Sequence, residues 1–259
     1  MLSSVRAAAR LLCTFTANDR ELGVSELARR LGLSKSAVHR LLTTLAAEHL
    51  IERNPHSGRY RLGIKLYELG MVVSTHFELH EAVAMHIDDL RASTGETVHV
   101  GILDGFEVVY VERRESIRTL HHMIDLGHRN YANCTACGKV LLAALPDPEL
   151  DRLLRDARLP ARTRCSISEP ARLRSELAAV RTRGYAENVA ESNAETASVG
   201  APIRDETGRV VAAISVAGPL SRMGETARSR VAAVTVDTAG RISRELGYRP
   251  SQQARTRTA

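Results

Sequence analysis

Lys35, Ser36, His39, Arg40 and Thr43 lie close together in "SKSAVHRLLTTL", and their side chains suit groove recognition. A guanidinium forks onto guanine O6 and N7 or onto a phosphate, and short hydroxyls reach bases or phosphates. A second candidate chemistry sits in Cys134-Thr-Ala-Cys137, a CxxC at the mouth of an apolar run. A helix N-terminus lowers a thiol's pKa, so this pair is a candidate redox switch or half of a metal site. No second CxxC completes a zinc set; Cys165 with His121, His122 or His128 would have to be brought in by the fold. No G-x-S-x-G, Walker loop, H-E-x-x-H or G-x-G-x-x-G occurs, so the sequence gives no ground for an enzyme or a bound cofactor.

The DNA reading depends on the element that presents the residues. Val38, Leu41, Leu42 and Leu45 follow the i, i+3, i+4, i+7 rule and predict a helix over 34–48 with one apolar stripe. Ser36, Arg40 and Thr43 then face away from the stripe, with His39 on the flank and Lys35 in the first turn. Ser34 has the chemistry to cap this helix, and its free N–H groups favour a phosphate. Ser25 is expected to cap the shorter helix "ELARRLG", which Gly32 closes, and it joins the candidate DNA-binding set. "IERNPHSGRYRLG" reads as a hairpin carrying Arg59, Tyr60 and Arg61, placed like a wing along a DNA backbone. A polar outer face is ordinarily a solvated one. Two capped helices, a tight glycine joint and a basic hairpin in succession favour DNA.

Charge agrees with this placement. Residues 1–80 hold 11 Lys/Arg against 7 Asp/Glu, and the other 179 hold 25 against 23, within a net charge of +6. The polyanion partner therefore meets the N-terminal part. Leu2, Val5, Ala9, Leu12 and Phe15 recur at helical spacing and predict a first helix over 2–16 in preference to a transit peptide. No apolar run approaches a membrane span, and four dispersed cysteines suggest a reducing, cytoplasmic setting.

Residues 64–80 read as a connecting helix. Beyond them "EAVAMHIDDLRAST", "TACGKVLLAALPDPELDRLL", "EPARLRSELAAVRTRG" and 224–247 are helical. "ETVHVGILDGFEVVYVERRES" and "ASVGAPIRDETGRVVAAISVAGP" alternate around turns and predict two hairpins. Hairpins interspersed with helices give an α+β fold with a mostly antiparallel sheet. The expected parts are 1–63, 64–80, 81–249 and a mobile polar tail, 250–259.

"SVRAAARLLCTF", "GVSELARRLGLSKSAVHRLLTTLAAEHLIER" and "SGRYRLGIKLYELG" resemble the winged-helix domain of the IclR family of bacterial transcription regulators. "CTACGKVLLAALP", "RGYAENVAES" and "SVGAPIRDETGRVVAAISVAGP" resemble the signature runs of its effector domain. The resemblance spans nearly the whole chain. It implies an N-terminal winged helix-turn-helix, a linker helix and a GAF-like effector-binding domain. It also implies homodimers or homotetramers on double-stranded palindromic operators, and a small organic or aromatic acid as effector. The implied function is a repressor of a neighbouring catabolic operon. Carried over residue by residue, the family's pocket positions fall on Ala136, Cys137, Gly138, Asn188, Ser198, Ser215 and Ala217, with Met123 and Leu126 as apolar walls. The family often has an acid near Asn188 and a hydroxyl near Ala217, so this chain offers an effector a different hydrogen-bond pattern. Independently of the resemblance, Thr135–Gly138 open a helix whose free N–H groups favour a carboxylate. Against this stands the redox or metal reading of Cys134 and Cys137.

Overall fold

The computed structural model describes residues 2–16, 18–75, 78–118, 128–156 and 159–249, and the chain divides into two compact units between Phe77 and Glu78. The division falls three residues before the start expected for the second domain. Met123, Leu126, His121, His122 and the tail 250–259 lie outside the described residues.

In the first unit α1 is Ser3–Leu12, α2 is Val24–Leu31 and α3 is Lys35–Ala47. β1, Ile51–Arg53, pairs antiparallel with β2, Tyr60–Leu62, and α4 follows at Ile64–Thr75. The core joins Leu11 and Phe15 to Leu27, Leu31, Val38, Leu42, Leu45, Ile51 and Tyr60. Each fully buried leucine there contributes roughly 1.5–3 kcal/mol. The expected α1 stripe holds only at its C-terminal end: Leu12 and Phe15 join the core, whereas Leu2, Val5 and Ala9 are exposed and the buried side is completed by Leu11 with Ala8. A helix of ten residues with alanine on three of its positions leaves the apolar period ambiguous, and tertiary packing decided the face of its first turns.

Gly32 closes α2 in the left-handed region at φ 69°, as its position before α3 requires. Ser34 caps α3 through a hydrogen bond from the Ala37 amide to its hydroxyl. Ser25 does not cap α2. The N-cap is Gly23, which places Ser25 inside the first turn and offers no side-chain cap.

The second unit opens with α5, Glu78–Thr94, and continues through β3, Thr97–Asp104, and β4, Glu107–Arg114. β5, Arg129–Tyr131, leads into α6, Ala136–Ala144, then α7, Asp147–Asp156, and α8, Pro170–Arg183. β6 is Ala186–Val189, β7 Thr196–Arg204, β8 Val210–Pro219 and α9 Glu225–Glu245. The strands form one antiparallel sheet in the order β5-β4-β3-β8-β7-β6. Both expected hairpins are present as β3–β4 and β7–β8. The run expected as one helix over 135–154 is two, broken at Leu145-Pro146 because proline cannot continue a helix.

Strand alternation divides the sheet's faces. On β7, Ala197 and Val199 pack with Ala232 of α9, so Ser198 and Gly200 between them face the side that carries α6. The first turn of α6 lies directly on the strands. A Cβ on Gly200 would sit 3.0 Å from the Ala136 carbonyl carbon, and one on Gly138 would sit 2.3 Å from Ala132. Small residues at these places let the helix N-terminus press against the sheet.

Candidate DNA-facing surface and ligand cavity

On α3 the apolar stripe is buried as the spacing requires, through Val38, Leu42 and Leu45 with Leu41 partly covered. Lys35, Ser36, His39, Arg40 and Thr43 are all exposed. Thr43 Oγ1 donates to the His39 carbonyl at 2.9 Å, and the Ser34 and Ser36 hydroxyls lie 3.1 Å apart. The Arg40 guanidinium has no ion-pair partner among the described residues, so its charge is available to a ligand.

The hairpin differs from its expected role. Tyr60 is a core residue, 7% exposed, and its backbone N–H and C=O both pair with Leu22. Arg59 folds back: Nε and Nη2 donate to the Glu21 carbonyl at 3.1 and 2.8 Å, and Nη2 also meets Glu26 at 3.1 Å. Arg61 pairs with Glu52, and Arg53 donates to the Gly58 carbonyl at 3.2 Å. Period-2 alternation in a three-residue strand did not show which side the small core would claim. Glu21 was missed. Its carboxylate accepts from Asn54 at 2.7 Å and Ser57 at 3.0 Å, which fixes the hairpin turn and holds its pKa below the usual range.

In the second unit a cavity of about 410 Å³ opens between the sheet and the start of α6. Thr135 and Ala136 form one wall, and Ser198, Ser215, Ala217 and Asn188 stand on β6, β7 and β8. Five of the seven described pocket positions therefore line one space. Cys137 and Gly138 do not. Both are buried behind the wall, where Gly138 serves close packing and the Cys137 thiol donates to Ser215 Oγ at 3.1 Å.

The hydrogen-bond inventory decides what each residue can offer. Asn188 Nδ2 donates to Ser192 Oγ at 3.0 Å and Ser198 Oγ at 3.3 Å, while Oδ1 accepts from the Glu191 amide at 2.9 Å. Its amide protons are thus spent within the wall. Ser198 and Ser215 each accept from a neighbour and keep a hydroxyl proton to donate. Sequence reasoning missed His99, Tyr110, His128, Asn130, Arg162, Ser192, Asn193, Glu195, Thr196 and Pro219 on the lining. His99 had a signal available: a histidine between valines on β3, placed by alternation on the face opposite them. Its ring is stacked at a tilt on Tyr110, 5.1 Å between centroids, and Nε2 is buried without a hydrogen-bond partner among the described residues. Burial, helped by the nearby Arg113 charge, depresses its pKa to about 3. The imidazole at this wall is neutral.

The CxxC is unsuited to thiolate chemistry. Burial pushes the Cys137 thiol up to about 12, and burial also raises Cys134, whose Sγ–H points to the Pro160 carbonyl at 3.4 Å.

The helix-turn-helix and hairpin define a DNA-binding unit, and the helix-faced antiparallel sheet with its polar cavity defines a ligand-binding one. Residues 4–55 match the IclR helix-turn-helix domain and residues 71–244 the C-terminal domain of the bacterial transcriptional regulator IclR, so the chain belongs to the IclR family of DNA-binding transcriptional regulators, a non-enzymatic family. Along 96% of its length it is 34% identical to the HTH-type transcriptional regulator XynR of Escherichia coli, covering 98% of that protein. It is 35% identical to the glycerol operon regulatory protein of Streptomyces coelicolor over 95% of this chain and 97% of that one. Thermotoga maritima IclR superposes with a TM-score of 0.77 at 32% identity, covering 96% of this chain and all of that one. An IclR homologue from Microbacterium hydrocarbonoxydans, solved in complex with 4-hydroxybenzoate, gives a TM-score of 0.84 at 25% identity, covering 94% and 99% of the two chains. No helix among the described residues is long and apolar enough to cross a membrane.

Proposed function

We propose that this regulator is a repressor of a neighbouring catabolic operon, released by a compact monocarboxylic acid that bears at least one hydroxyl group. The observation that carries the ligand class is the state of the cavity's polar groups. Ser198 and Ser215 present donors beside the N-terminus of α6, where backbone N–H groups favour a carboxylate. The buried His99 Nε2 has no hydrogen-bond partner among the described residues, and a ligand hydroxyl would supply one. Among the described lining residues Arg162 is the one arginine, too little cationic charge for a polyphosphate. The small hydroxylated acid held by the Microbacterium relative supports the same class.

For the DNA-binding half, Lys35, Ser36, His39, Arg40 and Thr43 of α3 are the proposed groove contacts, with Ser34 at the helix mouth as a phosphate contact. Two copies on a palindrome require a homo-oligomer, a dimer or a tetramer. Apolar side chains left exposed at the N-cap of α1 and on α1 and α4, Leu2, Val5, Ile64 and Tyr67 among them, support such a partner.

Calorimetry with D-gluconate, lactate, benzoate and 4-hydroxybenzoate tests the ligand reading. Hydroxylated members should bind more tightly than benzoate, and Ser215→Ala should weaken binding severalfold. Binding that neither Ser215→Ala nor Asn188→Ala affects would place the ligand elsewhere.

A further inference from the structure

We propose that the buried Lys139–Glu191 ion pair is a latch that sets both walls of the cavity, making these two residues positioning residues for the effector. The proposal rests on the reading of the cavity as the effector site. Lys139 lies on α6, 1% exposed, with Nζ 2.7 Å from Glu191 Oε1 and 3.5 Å from Glu176 on α8. Glu191 stands on the connection between β6 and β7, and its second oxygen, Oε2, is buried without a hydrogen-bond partner among the described residues. Such a pair is a poor source of stability, because desolvating two charges offsets most of their attraction and an apolar pair of similar volume would serve as well. Its backbone connections show what it controls instead.

The Glu191 amide donates to Asn188 Oδ1, fixing the residue whose Nδ2 holds Ser192 and Ser198. The Glu191 carbonyl accepts from Ser166 Oγ at 2.7 Å. Ser166 Oγ in turn accepts from the amides of Arg162 and Thr163, both at 2.9 Å, so the same node places the Arg162 segment. Between the walls, Ala190 is held at φ 58°, a left-handed conformation costly for alanine, by Thr163 Oγ1 donating to its carbonyl at 2.6 Å. A strained residue keeps that conformation only while its surroundings overdetermine it. The ion pair to α6 is the anchor of those surroundings.

The test compares the full-length protein with Lys139→Met and with Lys139→Met/Glu191→Gln. The single variant leaves a buried carboxylate unpaired, so where it fails to fold the double variant, which removes both charges, decides. In the double variant amide hydrogen exchange across 160–167 and 188–196 should rise at least tenfold, while β3, β8 and α9 keep their protection. Affinity for D-gluconate or 4-hydroxybenzoate, whichever binds the unmodified protein, should fall at least tenfold, with operator affinity in the absence of acid unchanged. Exchange and affinity equal to those of the unmodified protein, or a uniform rise in exchange over the whole unit, would overturn the latch. If neither acid binds the unmodified protein, the effector reading fails for these acids while the exchange pattern still decides the latch.

Discussion

Arg40 and Arg59 carry the same charge, yet their surroundings assign them different work. Arg40 has no ion-pair partner among the described residues and lies on the outer face of α3, so Arg40→Ala should cost operator binding about 1–3 kcal/mol and relax preference at one base position. Arg59 is tied to Glu21 and Glu26, so Arg59→Ala should lower the thermal midpoint of the DNA-binding unit and change operator affinity less. Anisotropy and thermal melts on both variants separate these outcomes. His99 makes a prediction about pH. Its folded pKa, about 3, lies below the ordinary histidine value of 6.5, so the unfolded chain takes up a proton that the native one refuses. The stability this gives is complete above pH 6.5 and is lost as pH falls from there toward 3, roughly 2 kcal/mol by pH 5. His99→Gln should flatten that part of the stability curve; a curve of unchanged slope would mean that His99 is not buried neutral. Thiol chemistry is equally specific. Cys13 and Cys165 are exposed and should react with a disulfide reagent in the native state, whereas Cys134 and Cys137 should react only on unfolding. Fast native reaction of Cys137 would restore the redox reading. At this scale the sequence was most legible where a residue's own chemistry decides, as for the α3 outer face. It was least legible where a partner distant in sequence decides, as for Arg59 with Glu21 or Asn188 with Glu191.

Helix caps separate two serines that the sequence presents alike. Ser34 carries a real cap, so Ser34→Ala should cost about 1 kcal/mol. Ser25 lies inside the first turn of α2, so Ser25→Ala should be close to neutral. Chemical denaturation distinguishes them, and equal losses would contradict the cap assignment. The two long hairpins were legible because eight or more alternating residues flank a strong turn. β5 and β6, three and four residues long, gave no period to detect and exist only because β4 and β7 offer them an edge. The apolar face of α1 was legible only at Leu12 and Phe15, because the helix's many alanines fit more than one period. Of the expected Thr135–Gly138 run only Thr135 and Ala136 line the cavity, and the resemblance supplied Asn188, Ser198, Ser215 and Ala217. His99 and the remaining lining residues were not legible, because antiparallel register alone brings His99 opposite Ser215.

For the molecule as a whole, the two units imply a coupling that neither has alone. An acid that binds in the second unit and changes operator affinity must, by linkage, have its own affinity changed by operator DNA by the same factor. The most direct test of an acid-released repressor is fluorescence anisotropy with duplex DNA from upstream of the flanking genes, titrated with and without the acid that calorimetry selects. The account predicts tight, salt-sensitive binding that Arg40→Ala weakens by about fivefold or more. It also predicts that the acid loosens binding at least fivefold in the unmodified protein and much less in Ser215→Ala. Operator affinity indifferent to the acid, or acid release undiminished in Ser215→Ala, would contradict it.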